Sequence, residues 1–219
     1  MSARRNRGWN KSGKGPEGLR IIGGRARATK LYTLDVPGLR PMLDRVREAL
    51  FNILRNVTEG MQVLDLFSGS GSLGLEALSR GADSAVFVEG DRKLANLVER
   101  NIEKCHCEDR AEVLNCDAMT LPVRFPPPGW GPADIVLADP PYAMIDDPND
   151  RGEFFRVLER MTDHWIAPGA IVVLHHRPMP HVLWPTDQFE VWDQRIYGQS
   201  QLTFFDAPGA EEEDNESEE

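Results

Sequence analysis

The sequence predicts an α/β domain: a seven-stranded, mostly parallel sheet with helices on both faces and an antiparallel C-terminal hairpin. Three observations lead to this class. From Gln62 onward, short apolar runs alternate with segments of helical periodicity, the pattern of strands joined by crossover helices. A glycine-rich turn, Gly69-x-Gly71-x-x-Gly74, links the first of these strands to the first helix. The last two apolar runs, 188–196 and 200–206, lie too close together for a helix between them and so form a hairpin. A chain of 219 residues has room for one such domain with modest extensions.

Taken in order, residues 1–18 mix Arg, Gly, Ser, Lys and Pro and read as a basic arm that is disordered when free. Residues 19–60 form a small N-terminal β/α extension. Within it, Leu19–Ile22 reads as a short strand that Lys30–Val36 could pair with as an edge ribbon. Val46, Ala49, Leu50, Ile53 and Leu54 then recur at helical spacing, with Asp44 placed to cap the helix. Strands are expected at 62–67, 84–89, 110–115, 134–139 and 170–176, and helices near 72–80, 91–105 and 151–165. Pro122 and the run Pro126-Pro127-Pro128-Gly129 make 120–132 a loop. The main domain therefore covers 61–208, and residues 209–219 form an acidic tail.

Hydrophobic residues make up 41% of the chain and charged residues 27%, an ordinary balance for a globular protein. No run approaches the roughly 20 apolar residues needed to cross a bilayer. No apolar stretch follows the basic N-terminus, which argues against a secretory signal, and a transit peptide would need apolar residues at helical spacing. Cys105, Cys107 and Cys116 are an odd number, with no partner pair to complete a zinc site around Cys105-His106-Cys107. Reduced thiols near the surface of a cytoplasmic protein, with no metal, are the simpler reading.

The net charge of −10 masks a strong polarity along the chain. Residues 1–30 carry Arg4, Arg5, Arg7, Lys11, Lys14, Arg20, Arg25, Arg27 and Lys30 against Glu17 alone. The tail holds Glu211, Glu212, Glu213, Asp214, Glu216, Glu218 and Glu219. A basic arm can supply the phosphate contacts that dominate nucleic-acid affinity whatever the total charge. A solvated tail is the bland alternative for both ends.

Chemistry concentrates in two turns. In Val63-Leu64-Asp65-Leu66-Phe67-Ser68-Gly69-Ser70-Gly71-Ser72-Leu73-Gly74, an apolar strand runs through small residues straight into a helix, whose N-terminus offers free N–H groups. With Glu89 after the second strand, the run matches a dinucleotide fingerprint. Asp65 tilts the choice, because a carboxylate at a buried strand end needs a partner. The ammonium and sulfonium of S-adenosylmethionine would provide one, whereas a pyrophosphate would be repelled. Glu89 could accept from a ribose diol. Asp117-Ala118, after the third strand, could receive an adenine or could simply be a turn.

The second turn is Ile135-Val136-Leu137-Ala138-Asp139-Pro140-Pro141-Tyr142. Neither proline can donate to a ladder, so the strand stops and the turn stiffens. The Asp139 carboxylate and the Pro140 carbonyl then become fixed acceptors at the edge where α/β sheets bind ligands. Two such acceptors suit an exocyclic amine on a nucleic-acid base, and Tyr142 can stack on the base. Asp139, Pro140, Pro141 and Tyr142 are therefore the catalytic candidates.

These residues together resemble the bacterial 16S rRNA guanine-N2 methyltransferases of the RsmD type. The likeness rests on Arg40-Pro41-x-x-Asp44-Arg45-Val46-Arg47-Glu48-x-Leu50-Phe51-Asn52, on Asp65 to Gly74, on Glu89, on Asp117-Ala118 and on Asp139 to Tyr142, and it spans roughly residues 19–206. It implies a Rossmann-like class I methyltransferase fold with a small N-terminal extension. It also implies S-adenosylmethionine as donor, held by Asp65, Phe67, Gly69, Ser70, Gly71, Glu89, Asp117 and Ala118. The guanine would sit at Asp139 to Tyr142, and Arg40, Arg45 and Arg47 near the cofactor or the RNA, with Arg25 and Arg27 as further RNA contacts. A solvated helix face is the plain reading of Arg45 and Arg47. The implied partner is 16S rRNA or the assembling small ribosomal subunit, bound by a monomer. Met42-Leu43 departs from the family, which has Thr or Ser after Arg-Pro. Two other readings stay open: an adenine-N6 methyltransferase of DNA or RNA, and a non-catalytic nucleic-acid-binding protein with a donor pocket. His175-His176 closes the fifth strand on the same edge and reads as a pair of satisfied core or rim histidines rather than a base.

Overall fold

The computed structural model describes residues 18–34, 42–56, 58–179 and 184–209. The basic arm up to Glu17, Arg40 with Pro41, and the acidic run from Ala210 lie outside the described residues.

Among the described residues, seven strands form one sheet in the order β3-β2-β1-β4-β5-β7-β6. These are β1 (Gln62–Leu66), β2 (Ser84–Val88), β3 (Ala111–Leu114), β4 (Ala133–Ala138), β5 (Ile166–His176), β6 (Glu190–Tyr197) and β7 (Ser200–Asp206). The first five run parallel, and β7 lies antiparallel to both β5 and β6. The strand order reverses between β1 and β4, the place where open α/β sheets form a ligand crevice. The helices are α1 (Asp44–Ile53), α2 (Ser72–Ser79), α3 (Arg92–Cys105), α4 (Tyr142–Asp146) and α5 (Pro148–Met161).

Strand residues alternate between two cores because successive side chains point to opposite faces. Val63, Phe87, Ile135, Leu137, Val173 and Phe204 pack under α1 to α3 and the extension. Leu64, Val86, Val136, Val172 and Phe205 pack against α5 and the 118–123 turn. Both faces are thus covered, which is why the central strands are apolar throughout.

Several local expectations need correction. Residues 19–31 make no strand: a single bridge joins Arg20 to Lys30, supported by Leu31 N–H donating to the Leu19 carbonyl at 2.8 Å. Residues 35 and 36 of the expected ribbon lie outside the described residues. The cap position of α1 falls on Leu43, and Asp44 instead pairs with Arg47 at 2.9 Å. Ala118–Val123 is a 3₁₀ helix despite Pro122, capped by Asp117, where a loop was expected. The helix expected to reach 165 ends at Met161, because Trp165 turns inward and its indole N–H donates to the Leu121 and Arg124 carbonyls. Asp91 caps α3 as expected, accepting from Lys93 and Leu94 N–H groups. The thiols expected near the surface include one, Cys107, that is buried in the core. No described helix is long and apolar enough to cross a membrane.

Candidate active site

The C-terminal edge of the parallel strands gathers the expected residues. Asp65 sits next to last in β1 and is buried. Its Oδ2 accepts from the Gly74 N–H at 2.9 Å, and its Oδ1 has no partner among the described residues. Burial pushes this carboxyl up to about 8, with the Asp139 and Glu89 charges adding to the rise and the Gly74 hydrogen bond opposing it. A buried carboxylate oxygen left without a hydrogen bond is expensive, so this edge of the sheet holds an unsatisfied polar atom.

The turn after β1 runs through left-handed backbone and is buried from Ser68 to Gly71. Phe67 adopts φ +59°, a conformation that side chains rarely take, and it is followed by Gly69 at +58° and Gly71 at +76°. Gly74 serves packing instead: a Cβ there would lie 2.4 Å from the Phe87 ring. Ser70 is buried, and its carbonyl accepts from the Asn101 side chain at 2.9 Å. Asn101 also exchanges hydrogen bonds with both backbone groups of Tyr32 and so ties α3, the glycine turn and the extension together. Nothing in the local sequence marks Asn101, an ordinary polar residue on a helix.

Glu89 follows β2, and each of its carboxylate oxygens accepts from a backbone N–H, Gly69 at 2.8 Å and Asp91 at 2.8 Å. Burial raises its pKa while these two amides pull it down. Each oxygen keeps a second lone pair for a diol. Asn115, another residue without a sequence signal, donates to the Glu89 and Gly90 carbonyls and holds the ends of β2 and β3 together. Asp117 spends one carboxylate oxygen on the Met119 N–H, and Ala118 is buried behind it.

Asp139 closes β4, and its N–H donates to the Leu66 carbonyl, which binds the double-proline turn to the end of β1. Pro140 is buried and Pro141 exposed. Tyr142 opens α4, with the Arg177 guanidinium 5.0 Å over its ring and the His175 ring at its edge. Arg177 is itself held by Asp146 at 2.8 Å. His175 Nδ1 lies 2.7 Å from Asp139 Oδ1, an arrangement the sequence reading missed. The neighbouring His176 is satisfied on both nitrogens, by the Arg177 carbonyl and Thr203 Oγ1, and burial lowers its pKa to about 4.

The basic candidates divide. Arg25, Arg27 and Arg45 are exposed, and Arg45 approaches the β6–β7 turn at Gly198. Arg40 lies outside the described residues. Arg47, expected on a solvated face or near RNA, is fully buried. It donates to the Arg20 carbonyl and Asp44 and faces the buried Glu76 at 3.8 Å, so its guanidinium serves the fold. Burial lowers its pKa, and the Glu76 charge opposes that.

The family model described as conserved hypothetical protein 95 matches residues 19–206. The Escherichia coli K12 ribosomal RNA small subunit methyltransferase D is 41% identical over 164 residues, covering 74% of this chain and 76% of that protein. The Haemophilus influenzae protein of the same name is 37% identical over 155 residues, covering 70% and 76%. Among solved structures, Escherichia coli yhhF, provisionally named a methyltransferase, superposes with a TM-score of 0.73 at 32% identity, over 88% of this chain and 99% of that one. A Salinibacter ruber RNA methyltransferase solved with S-adenosyl-L-homocysteine shares the fold, with a TM-score of 0.58 at 19% identity, over 82% of this chain and all of that one.

Proposed function

The chain belongs to the conserved hypothetical protein 95 family, that of the RsmD-type methyltransferases, and from that membership we propose that it methylates guanine N2 in small-subunit ribosomal RNA. The methyl donor is S-adenosylmethionine, which supplies an electrophilic sulfonium methyl for direct displacement by the amine. One observation carries the reading. The unpartnered buried Asp65 Oδ1 and the Asp139–Tyr142 turn stand at the ends of adjacent parallel strands, where the sheet order reverses.

Asp65 fits the donor's ammonium because it is the one described carboxylate with a buried oxygen lacking a hydrogen bond. Glu89 offers its remaining lone pairs to the ribose, Gly69 and Gly71 let the backbone come close, and Asp117-Ala118 borders the adenine. Phe67 and Ser70 shape the same turn. On the other side, Asp139 and the Pro140 carbonyl accept the two N–H groups of the guanine amine. That grip withdraws the nitrogen lone pair from the ring and aims it. Tyr142 stacks on the base, a contact worth roughly 1–3 kcal/mol. Catalysis is then orientation plus electrostatics, with Asp139 receiving the proton that the amine sheds once methylated.

The exposed Arg25, Arg27 and Arg45 support phosphate binding. The test is to incubate the protein with labelled S-adenosylmethionine and undermodified small ribosomal subunits and to map the label. A methyl on guanine N2 is the expected result. Label on adenine would move the reading to an N6 methyltransferase, and binding without transfer would leave a non-catalytic RNA-binding protein.

A further inference from the structure

The contact between Asp139 and His175 follows from the register of the sheet. Leu137 pairs with Val173 and Ala138 with Leu174, so the next step along both strands puts residues 139 and 175 side by side on the same face. Asp139 Oδ1 and His175 Nδ1 are 2.7 Å apart, while no described residue bonds Asp139 Oδ2. The His175 side chain is 4% exposed and that of Asp139 25%. One oxygen of the carboxylate is therefore held from inside, and the other remains for a ligand.

The other end of the imidazole decides which nitrogen carries the proton. His175 Nε2 is buried without a hydrogen-bond partner among the described residues. The His175 side chain borders a narrow seam whose other walls are apolar, among them Met42, Leu50, Leu73, Leu137 and Val173. A proton on Nε2 would be an unsatisfied donor in that seam, and a bare Nε2 is the less costly choice. The proton then sits on Nδ1, where it points at Asp139. The ring is fixed further by its edge contact with Tyr142, centroids 5.7 Å apart.

We infer that His175 is a positioning residue: its Nδ1–H fixes Asp139 Oδ1, so that Oδ2 alone faces the amine that is to be methylated. The inference rests on the function proposed above and adds a residue to it. His175 acts through Asp139, because its Nδ1 is turned to that carboxylate and its Nε2 is buried.

Two variants separate this role from packing. His175→Phe keeps a buried ring and deletes the donor, whereas His175→Asn keeps an N–H where Nδ1 stood and gives up ring volume. Positioning predicts that kcat for labelled methyl transfer to undermodified small subunits falls on the order of 10- to 100-fold in His175→Phe, with S-adenosylmethionine binding unchanged and partial recovery in His175→Asn. Packing alone predicts the opposite order, Phe near wild type and Asn impaired, and that outcome would overturn the inference. Histidine ¹⁵N NMR of the wild-type protein reads the tautomer directly, whatever the variants do. Protonated Nδ1 with bare Nε2 is expected, and a proton on Nε2 overturns the inference. If the wild type transfers no methyl, the proposed function fails, while the nitrogen spectrum still reports on His175 separately.

Discussion

At the scale of single residues, the site is governed by two carboxylates whose environments differ. Asp65 is buried with its pKa raised to about 8, so the free protein holds it mostly protonated at neutral pH. A cationic donor needs the ionised form. Affinity for S-adenosylmethionine should therefore rise nearly tenfold per pH unit from pH 6 towards 8 and level off above it, as measured by calorimetry, with proton release on binding. The linkage to folding runs the other way. The folded pKa lies above the unfolded value of about 3.9, so wild-type stability is lost as pH rises between about 4 and 8. Asp65→Asn should flatten that pH dependence in denaturant melts and abolish donor binding. At the second carboxylate, Asp139→Ala should remove methyl transfer, a loss on the order of 100-fold or more, and leave RNA affinity near wild type. Both acids were legible in the sequence, because each ends an apolar strand beside a Gly or Pro turn. His175 was only half legible. The doubled histidine marked the edge, but which of the two faces Asp139 depends on strand register, which is irregular between Ala133 and Ile135 and leaves no local signal.

At the scale of elements, the N-terminal extension is held by polar groups more than by strand pairing. Glu76, fully buried on α2, accepts from the Ile22 and Gly23 N–H groups and faces both Arg47 and Arg80. Glu76→Ala removes one of the two carboxylates that face the buried Arg47 and leaves the Ile22 and Gly23 N–H groups without their acceptor, so it should destabilise the protein by about 3–5 kcal/mol in chemical denaturation, with the extension losing amide-exchange protection first. Gly24, at φ +73°, has no room for a side chain, since a Cβ would sit 1.7 Å from the Ser79 carbonyl oxygen. The strands and long helices could be read from periodicity, a property of the local chain. The extension could not, because its hydrogen bonds reach residues more than fifty positions away. Nor could α4, five residues long, whose start is set by the double-proline turn rather than by any repeat.

At the scale of the whole molecule, a chain of net charge −10 is proposed to bind RNA through locally concentrated positive charge. Deleting residues 1–17 removes Arg4, Arg5, Arg7, Lys11 and Lys14. Filter binding across a salt series should then show a slope shallower by up to about 3 in log K against log salt, with S-adenosylmethionine affinity unchanged. The fold itself was legible because topology follows from alternating elements and a short final connection, and the sheet order bears that out. What unites the scales is the meeting of the glycine turn and the double-proline turn across β1 and β4. A crystal structure with S-adenosylmethionine bound tests it most directly. This arrangement of turns predicts the donor's ammonium on Asp65 Oδ1 and its methyl directed at the space beside Asp139 and Tyr142. A donor bound away from Asp139 and Tyr142, or no binding at saturating concentration, would contradict it.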